Sequence, residues 1–328
     1  VTAVHRVRGF SIVELMIAMA ISLGLTLALA TLLSRSSRAS ATLDRTSRQI
    51  ESGRYALDLL SGQIRMAGYY GEMALSGATF STPSPCVAPT PGAGFSTSPV
   101  TVPVGLQGYQ GTSADPAPSC ASAALPGSAA LVVRRLSSTT TAVAAIAPST
   151  TYLQVSRCGN DPATVPFVAS QNASDFTLQN FACNAPVAVR AYETRLFYVA
   201  SCSTCGQDTI PTLKKLEYTA GVASVTPLVE GIEEMHVEYG FDTNGDGVPD
   251  VYRTGLDGVA GSPTNAWENV MTARVWAVAR TTEVTQGYQD TKTYNLGVFG
   301  TRGPYLDGYK RRVYSMVVRL NNPAGLRE

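Results

Sequence analysis

The sequence has little charge. Only 15% of its 328 residues are Asp, Glu, Lys or Arg, and the formal net charge is +1. That balance excludes a global basic field of the kind non-specific nucleic-acid binding requires. Histidine is nearly absent, with only His5 and His236. No GxSxG, Walker A or HExxH pattern occurs. Hydrolase and nucleotide-dependent readings therefore lack their usual carriers. No cysteine precedes Cys86, and no charged residue falls between Leu15 and Leu33. What is present is a 45% hydrophobic composition, enough to bury a sizeable core in one large or two small domains.

The uncharged run from Leu15 to Leu33 spans about the hydrocarbon thickness of a bilayer at a rise of about 1.5 Å per residue. His5, Arg6 and Arg8 precede it, which favours a cytoplasmic start and an exported remainder. A cleaved secretory signal peptide has a shorter apolar core and a small-residue cleavage site. Here the run passes without a break into an amphipathic stretch. A plain anchor does not account for Glu14, because a carboxylate inside hydrocarbon is costly and invites a cationic partner.

The stretch Arg8-Gly9-Phe10-Ser11-Ile12-Val13-Glu14-Leu15-Met16-Ile17-Ala18 resembles the type IV prepilin signature. The resemblance implies that a prepilin peptidase cuts between Gly9 and Phe10, and that Phe10 becomes the methylated first residue of the mature chain. It implies that Glu14 pairs with the N-terminal amine of a neighbouring subunit during assembly. Each buried charge is expensive alone and cheaper as a pair.

Past Ser34 the chain turns polar but keeps a helical period. Leu43, Ile50, Leu57, Leu60 and Ile64 share one face, and Asp44, Arg45, Arg48, Gln49, Glu51 and Arg54 populate the rest. Gly53 reads as a weak point, costing about 1 kcal/mol against alanine. Gly68 reads as a C-terminal stop. One helix is therefore expected from about Ile12 to Ala67, laid on a sheet rather than zipped into a coiled coil. The segments Arg54-Tyr55-Ala56-Leu57 and Arg65-Met66-Ala67-Gly68-Tyr69-Tyr70-Gly71 resemble the PilW-type minor pilins. The implied fold is α+β and pilin-like: a long N-terminal helix, half membrane and half amphipathic, packed on an antiparallel β-sheet head with disulfides.

Residues 76–128 are dense in Gly, Pro, Ser and Thr, with turn-forming runs such as Thr82-Pro83-Ser84-Pro85 that cannot build a core alone. The six cysteines, Cys86, Cys120, Cys158, Cys183, Cys202 and Cys205, form an even set behind a membrane signal, which points to an oxidising compartment. Six cysteines leave many connectivities open and the sequence does not choose among them; sequential pairing is the expectation. Cys202-Ser203-Thr204-Cys205 lies between two strand-like runs and reads as a disulfide at a hairpin tip. No helix start adjoins it to make it a redox site.

The C-terminal third alternates at period two. Met235, Val237, Tyr239 and Phe241 face one side, and Glu234, His236 and Glu238 the other; His236 reads as a surface residue. Further strands are expected over Met271–Arg280 and Tyr314–Leu320, in an antiparallel sheet with one side on the core. Between the first two lies Asp242-Thr243-Asn244-Gly245-Asp246-Gly247-Val248-Pro249-Asp250. Oxygen side chains at alternate positions around a glycine turn suit calcium. The expected ligands are Asp242, Asn244, Asp246 and Asp250 with the Val248 carbonyl, completed by Glu238 or Asp257. The twelfth position is Arg253, not glutamate, and no helices flank the loop, so it resembles dockerin or thrombospondin type 3 loops more than an EF-hand. Val229–Tyr239 and Arg311–Asn322 also resemble PilW proteins and the J-type pseudopilins of type II secretion.

The expected organisation is a cytoplasmic leader (1–9), a membrane and pilus-core helix (10–34), an amphipathic helix (35–70), a loop-rich stapled part of the head (71–210) and a C-terminal sheet (211–328). The resemblance implies a non-enzymatic minor pilin that primes type IV pilus assembly in a tip complex. Its implied partners are other minor pilins, the major pilin, prepilin peptidase, the inner membrane and a large tip adhesin. It would sit in the inner membrane, head in the periplasm, and then in the pilus at the cell surface, serving adhesion or twitching motility. The alternatives are a J-type pseudopilin and a tip adhesin whose site is the 76–128 loop.

Overall fold

The computed structural model describes residues 11–92, 94–161, 165–256 and 266–327. Helix α1 covers Ile12–Arg65. After it come β1 (Thr79–Ser81), β2 (Ser96–Thr97), β3 (Val100–Pro103), β4 (Leu106–Tyr109), β5 (Ala130–Leu136), β6 (Tyr152–Val155), β7 (Phe167–Ser170) and β8 (Arg190–Ala200). The chain continues through β9 (Thr212–Thr219), β10 (Val222–Glu230), β11 (Ile232–Phe241), β12 (Val251–Arg253), β13 (Val270–Arg280), β14 (Tyr294–Asn295), β15 (Thr301–Arg302), β16 (Arg311–Arg319) and the short α2 (Asn321–Gly325). It divides into two compact units, one ending at Arg48 and the other Gln49–Glu328.

In the first unit the helix is apolar and exposed along Ile12–Leu33. It is long and apolar enough to cross a membrane. Ser22, Thr26 and Thr31 each donate to a carbonyl three or four residues back, so none is left without a partner in lipid.

The second unit has two principal sheets. One has the order β10-β9-β8-β5-β4, with β6 and β7 joined at the start of β8. The other has the order β12-β11-β13-β16 and is antiparallel throughout. The first sheet crosses residue 210, where the sequence suggested a division, because β8 and β9 are partners in one hairpin. The last turns of α1 lie over both sheets. Ala56, Leu57, Leu60 and Ile64 share one core with Leu131 and Phe197 of the first sheet and with Met235, Val275 and Val318 of the second. Leu60 is 1% exposed; burying such a side chain contributes roughly 2–3 kcal/mol. Leu43 belongs to the other unit and is exposed. Gly68 succeeds the helix at φ +70°, the left-handed conformation of a helix stop, and its N–H donates across to Arg134 O on β5.

Two sequence expectations change here. Gln49, assigned to the polar face, is buried and its amide donates to Ala279 O and Lys310 O, each at 2.7 Å. Gly53 is a contact point: a Cβ there would collide with the ring of Tyr314. The proline-rich segment borrows its core from elsewhere. Phe95 and Val102 pack with Tyr70, Leu136, Phe167 and Tyr192. Arg134, fully buried, ties Pro83 O to Gln107 Oε1.

The second sheet is covered on both faces over part of its area, not on one. His236 is 4% exposed and lies against Phe299 with ring centroids 4.8 Å apart, so it is not a surface residue. Glu234, two residues before it on the same strand, accepts from Arg302, Tyr305 and His236. The aperiodic segment 281–310 supplies this cover, and Gly297 sits close over Trp276. Arg311 anchors its far end, bonding Glu233, Asp290 and Asp307 beneath the Tyr305 ring.

Candidate functional site

The assembly segment begins at the first described residue. Ser11 N donates to Glu14 Oε2 at 3.0 Å, and Val13 N donates to Ser11 Oγ at 3.3 Å. With α1 starting at Ile12, Ser11 is the N-cap and Glu14 the third helical residue; Glu14 reaches back to the N-cap amide as in a capping box, while Ser11 Oγ accepts the second helical amide. The sequence alone gave Glu14 a purpose only through a neighbouring subunit. The structure adds a partner inside the chain, because Glu14 satisfies an orphan amide at the positive end of the helix dipole. The S-x-x-E spacing was the signal that could have found it. Gly9 and Phe10, the expected cleavage and methylation residues, lie outside the described residues, as does Asp257.

The head's cysteines pair as Cys86–Cys120, Cys158–Cys183 and Cys202–Cys205. The last pair sits in the connection from β8 to β9, where Asp208 accepts the Ser203, Thr204 and Ile210 amides. Those amides hold the Asp208 carboxyl below its usual range.

The loop after β11 gathers Asp242, Asn244, Asp246 and Asp250 in one turn. Asp242 accepts the Asn244, Gly245 and Gly247 amides, and Arg327 Nη1 lies 2.9 Å from its Oδ2. Burial pushes the Asp242 carboxyl up, but Arg327 and the two glycine amides outweigh it and hold it low. Asp250 accepts Thr243 N and Oγ1, and the Asn244 amide group bridges Asp246 and Asp250. Glu238, expected as a possible further ligand, is buried on the strand and paired with Arg274 at 2.9 Å. Among the described residues no group of three or more His, Cys, Asp or Glu side chains is gathered in a metal-holding arrangement. The oxygen set matches the donor chemistry calcium takes, but here each carboxylate is engaged by N–H donors. A cation would displace Arg327 from Asp242.

A helix start armed with a carboxylate, a long apolar stretch and a disulfide-bonded head under the helix's last turns match a pilin-like α+β architecture. More narrowly, part of the chain is similar to PilW-type minor pilins. Residues 196–322, from within β8 to α2, match the family described as type IV pilus-assembly protein W, and residues 4–30 match the prokaryotic N-terminal methylation motif. The two matches support a minor-pilin role in type IV pilus assembly, interaction with the assembly machinery and an inner-membrane-anchored precursor. No curated protein and no solved structure matches the chain.

Sequence reasoning missed Ser11, Gln49 and the Gly53–Tyr314 contact. Ser11 was signalled by its spacing to Glu14, whereas Gln49 and Gly53 are polar or small residues whose partners become visible only once the chain has folded around them.

Proposed function

We propose that the chain is a minor pilin of a tip complex that primes pilus assembly. Prepilin peptidase frees Phe10, and Phe10 is then methylated. The new amine of one subunit meets Glu14 of the next, and other minor pilins and the major pilin add below. The match of residues 196–322, which include the whole second sheet, to the PilW family supports this reading. The capping box supports the assembly step. It holds the Glu14 carboxylate at the helix start, and a protonated amine is a stronger partner for it than a backbone amide. After assembly the head stands on the pilus at the cell surface. Mass spectrometry of sheared pili checks the proposal. The expected species is a methylated N-terminus at Phe10, present at far lower abundance than the major subunit. A different N-terminus, or absence from pili, overturns it.

We also propose one calcium ion in the loop from Asp242 to Asp250, with Asp242, Asn244, Asp246, Asp250 and the Val248 carbonyl as ligands. Four oxygen side chains in one turn support it, and the ion would release Arg327. Millimolar calcium is expected to raise the melting temperature and chelator to reverse the rise. An identical melting curve in both conditions counts against the site.

A further inference from the structure

Helix geometry sets the depth of the residues just past the apolar run. At about 1.5 Å per residue, Arg35 lies about 3 Å beyond Leu33 along the axis and Arg38 about 7–8 Å beyond it. The polar headgroup layer on each side of a bilayer is about 5–7 Å deep. Both arginines therefore stand within or at the edge of that layer when Leu33 marks the end of the hydrocarbon. The first acid after them, Asp44, is about 16 Å beyond Leu33, outside the layer. Asp44 is also engaged, by Arg48 at 3.0 Å. Arg35 and Arg38 are exposed, and among the described residues neither has an acidic partner. Ser34, Ser36 and Ser37 flank them and add hydroxyl donors. Arginines so near the exported end of a span run against the usual distribution of positive charge, so their presence calls for a compensating interaction.

We propose that Arg35 and Arg38 form a clamp for the phosphates of anionic phospholipids in the outer leaflet of the membrane that anchors the precursor. A guanidinium fork matches two phosphate oxygens, and the pair sits on one side of the helix, three residues apart. The clamp fixes how deep the helix sits before assembly and must be released when the subunit leaves the bilayer. The proposal rests on the membrane-anchored reading.

The test uses the full chain reconstituted in nanodiscs of mixed zwitterionic and anionic phospholipid, with spin-labelled phosphatidylglycerol or phosphatidylcholine as probe. The unmodified chain is expected to immobilise phosphatidylglycerol several-fold more than phosphatidylcholine. The R35Q/R38Q variant should lose most of that several-fold preference, while R312Q in the head keeps it. Inorganic phosphate at constant ionic strength should leave it unchanged. Equal preference in the unmodified chain and R35Q/R38Q overturns the clamp. Competition by inorganic phosphate reassigns the pair to a soluble anion and overturns the lipid assignment. No immobilised lipid of either kind means the helix does not insert, and it is then the anchoring that fails.

Discussion

Gly53 sits where the ring of Tyr314 lies against the helix. By propensity alone, alanine at this position would stabilise the helix by about 1 kcal/mol. The notch reverses the sign, because the added methyl overlaps a ring packed against the core. Gly53→Ala is expected to lower stability by roughly 1–3 kcal/mol, read as a shift of the denaturation midpoint at unchanged slope. A second residue-scale prediction concerns pH. Hydrogen bonds from Arg311 hold the Asp307 carboxyl below its ordinary value. Burial pushes Glu234 up, but hydrogen bonds from His236, Tyr305 and Arg302 outweigh it and leave it low. Both groups bind protons less readily folded than unfolded. Their stabilisation is therefore full above the ordinary carboxylate range, near pH 4, and is lost as pH falls through it. The melting temperature should hold level from neutral pH to about 5 and decline below about 4, less steeply in R302M, which removes one of Glu234's donors.

At the scale of elements, the three disulfides close loops of unequal length, with separations of 34, 25 and 3 residues. In the chain-entropy account the two long closures are each worth about 3–4 kcal/mol and the short one about 2. Paired serine substitution at Cys86 and Cys120 should therefore cost more in denaturant titration than the same change at Cys202 and Cys205. The reverse order would mean that the short bridge is shaping the hairpin and not only restricting the unfolded chain. The elements themselves were unevenly legible. The helix, its stop at Gly68 and the strands carrying Val237, Val275 and Val318 are readable from period and turn chemistry. The burial of His236 and Glu238 is not, because the segment over His236 has no period and announces no layer. The short strands around Val102 and Leu106 were hidden for a related reason: their apolar residues are too few to register until β5 and β8 supply the rest of the core. In the candidate site, the capping role of Glu14 was legible from spacing to Ser11, whereas Arg327 reaches Asp242 across 85 residues and leaves no local trace.

At the scale of the molecule, Gln49–Glu328 has its own core and all three disulfides. A chain beginning at Gln49, exported to an oxidising compartment, is expected to be a soluble monomer that melts cooperatively; size-exclusion and thermal scans check this. The bond from Gln49 to Lys310 O joins residues 261 apart, and Tyr314 meets Gly53 from the final strand. At about 5–20 residues per second of synthesis, the stripe of Leu57 and Leu60 waits on the order of tens of seconds for that strand to be made. Closure of the head is therefore a late event in the life of each new chain. A nonsense mutation a few residues before Arg319 would strand the helix as surely as one that removed the helix itself, and quality control at the membrane would meet the same open intermediate every time the protein is produced.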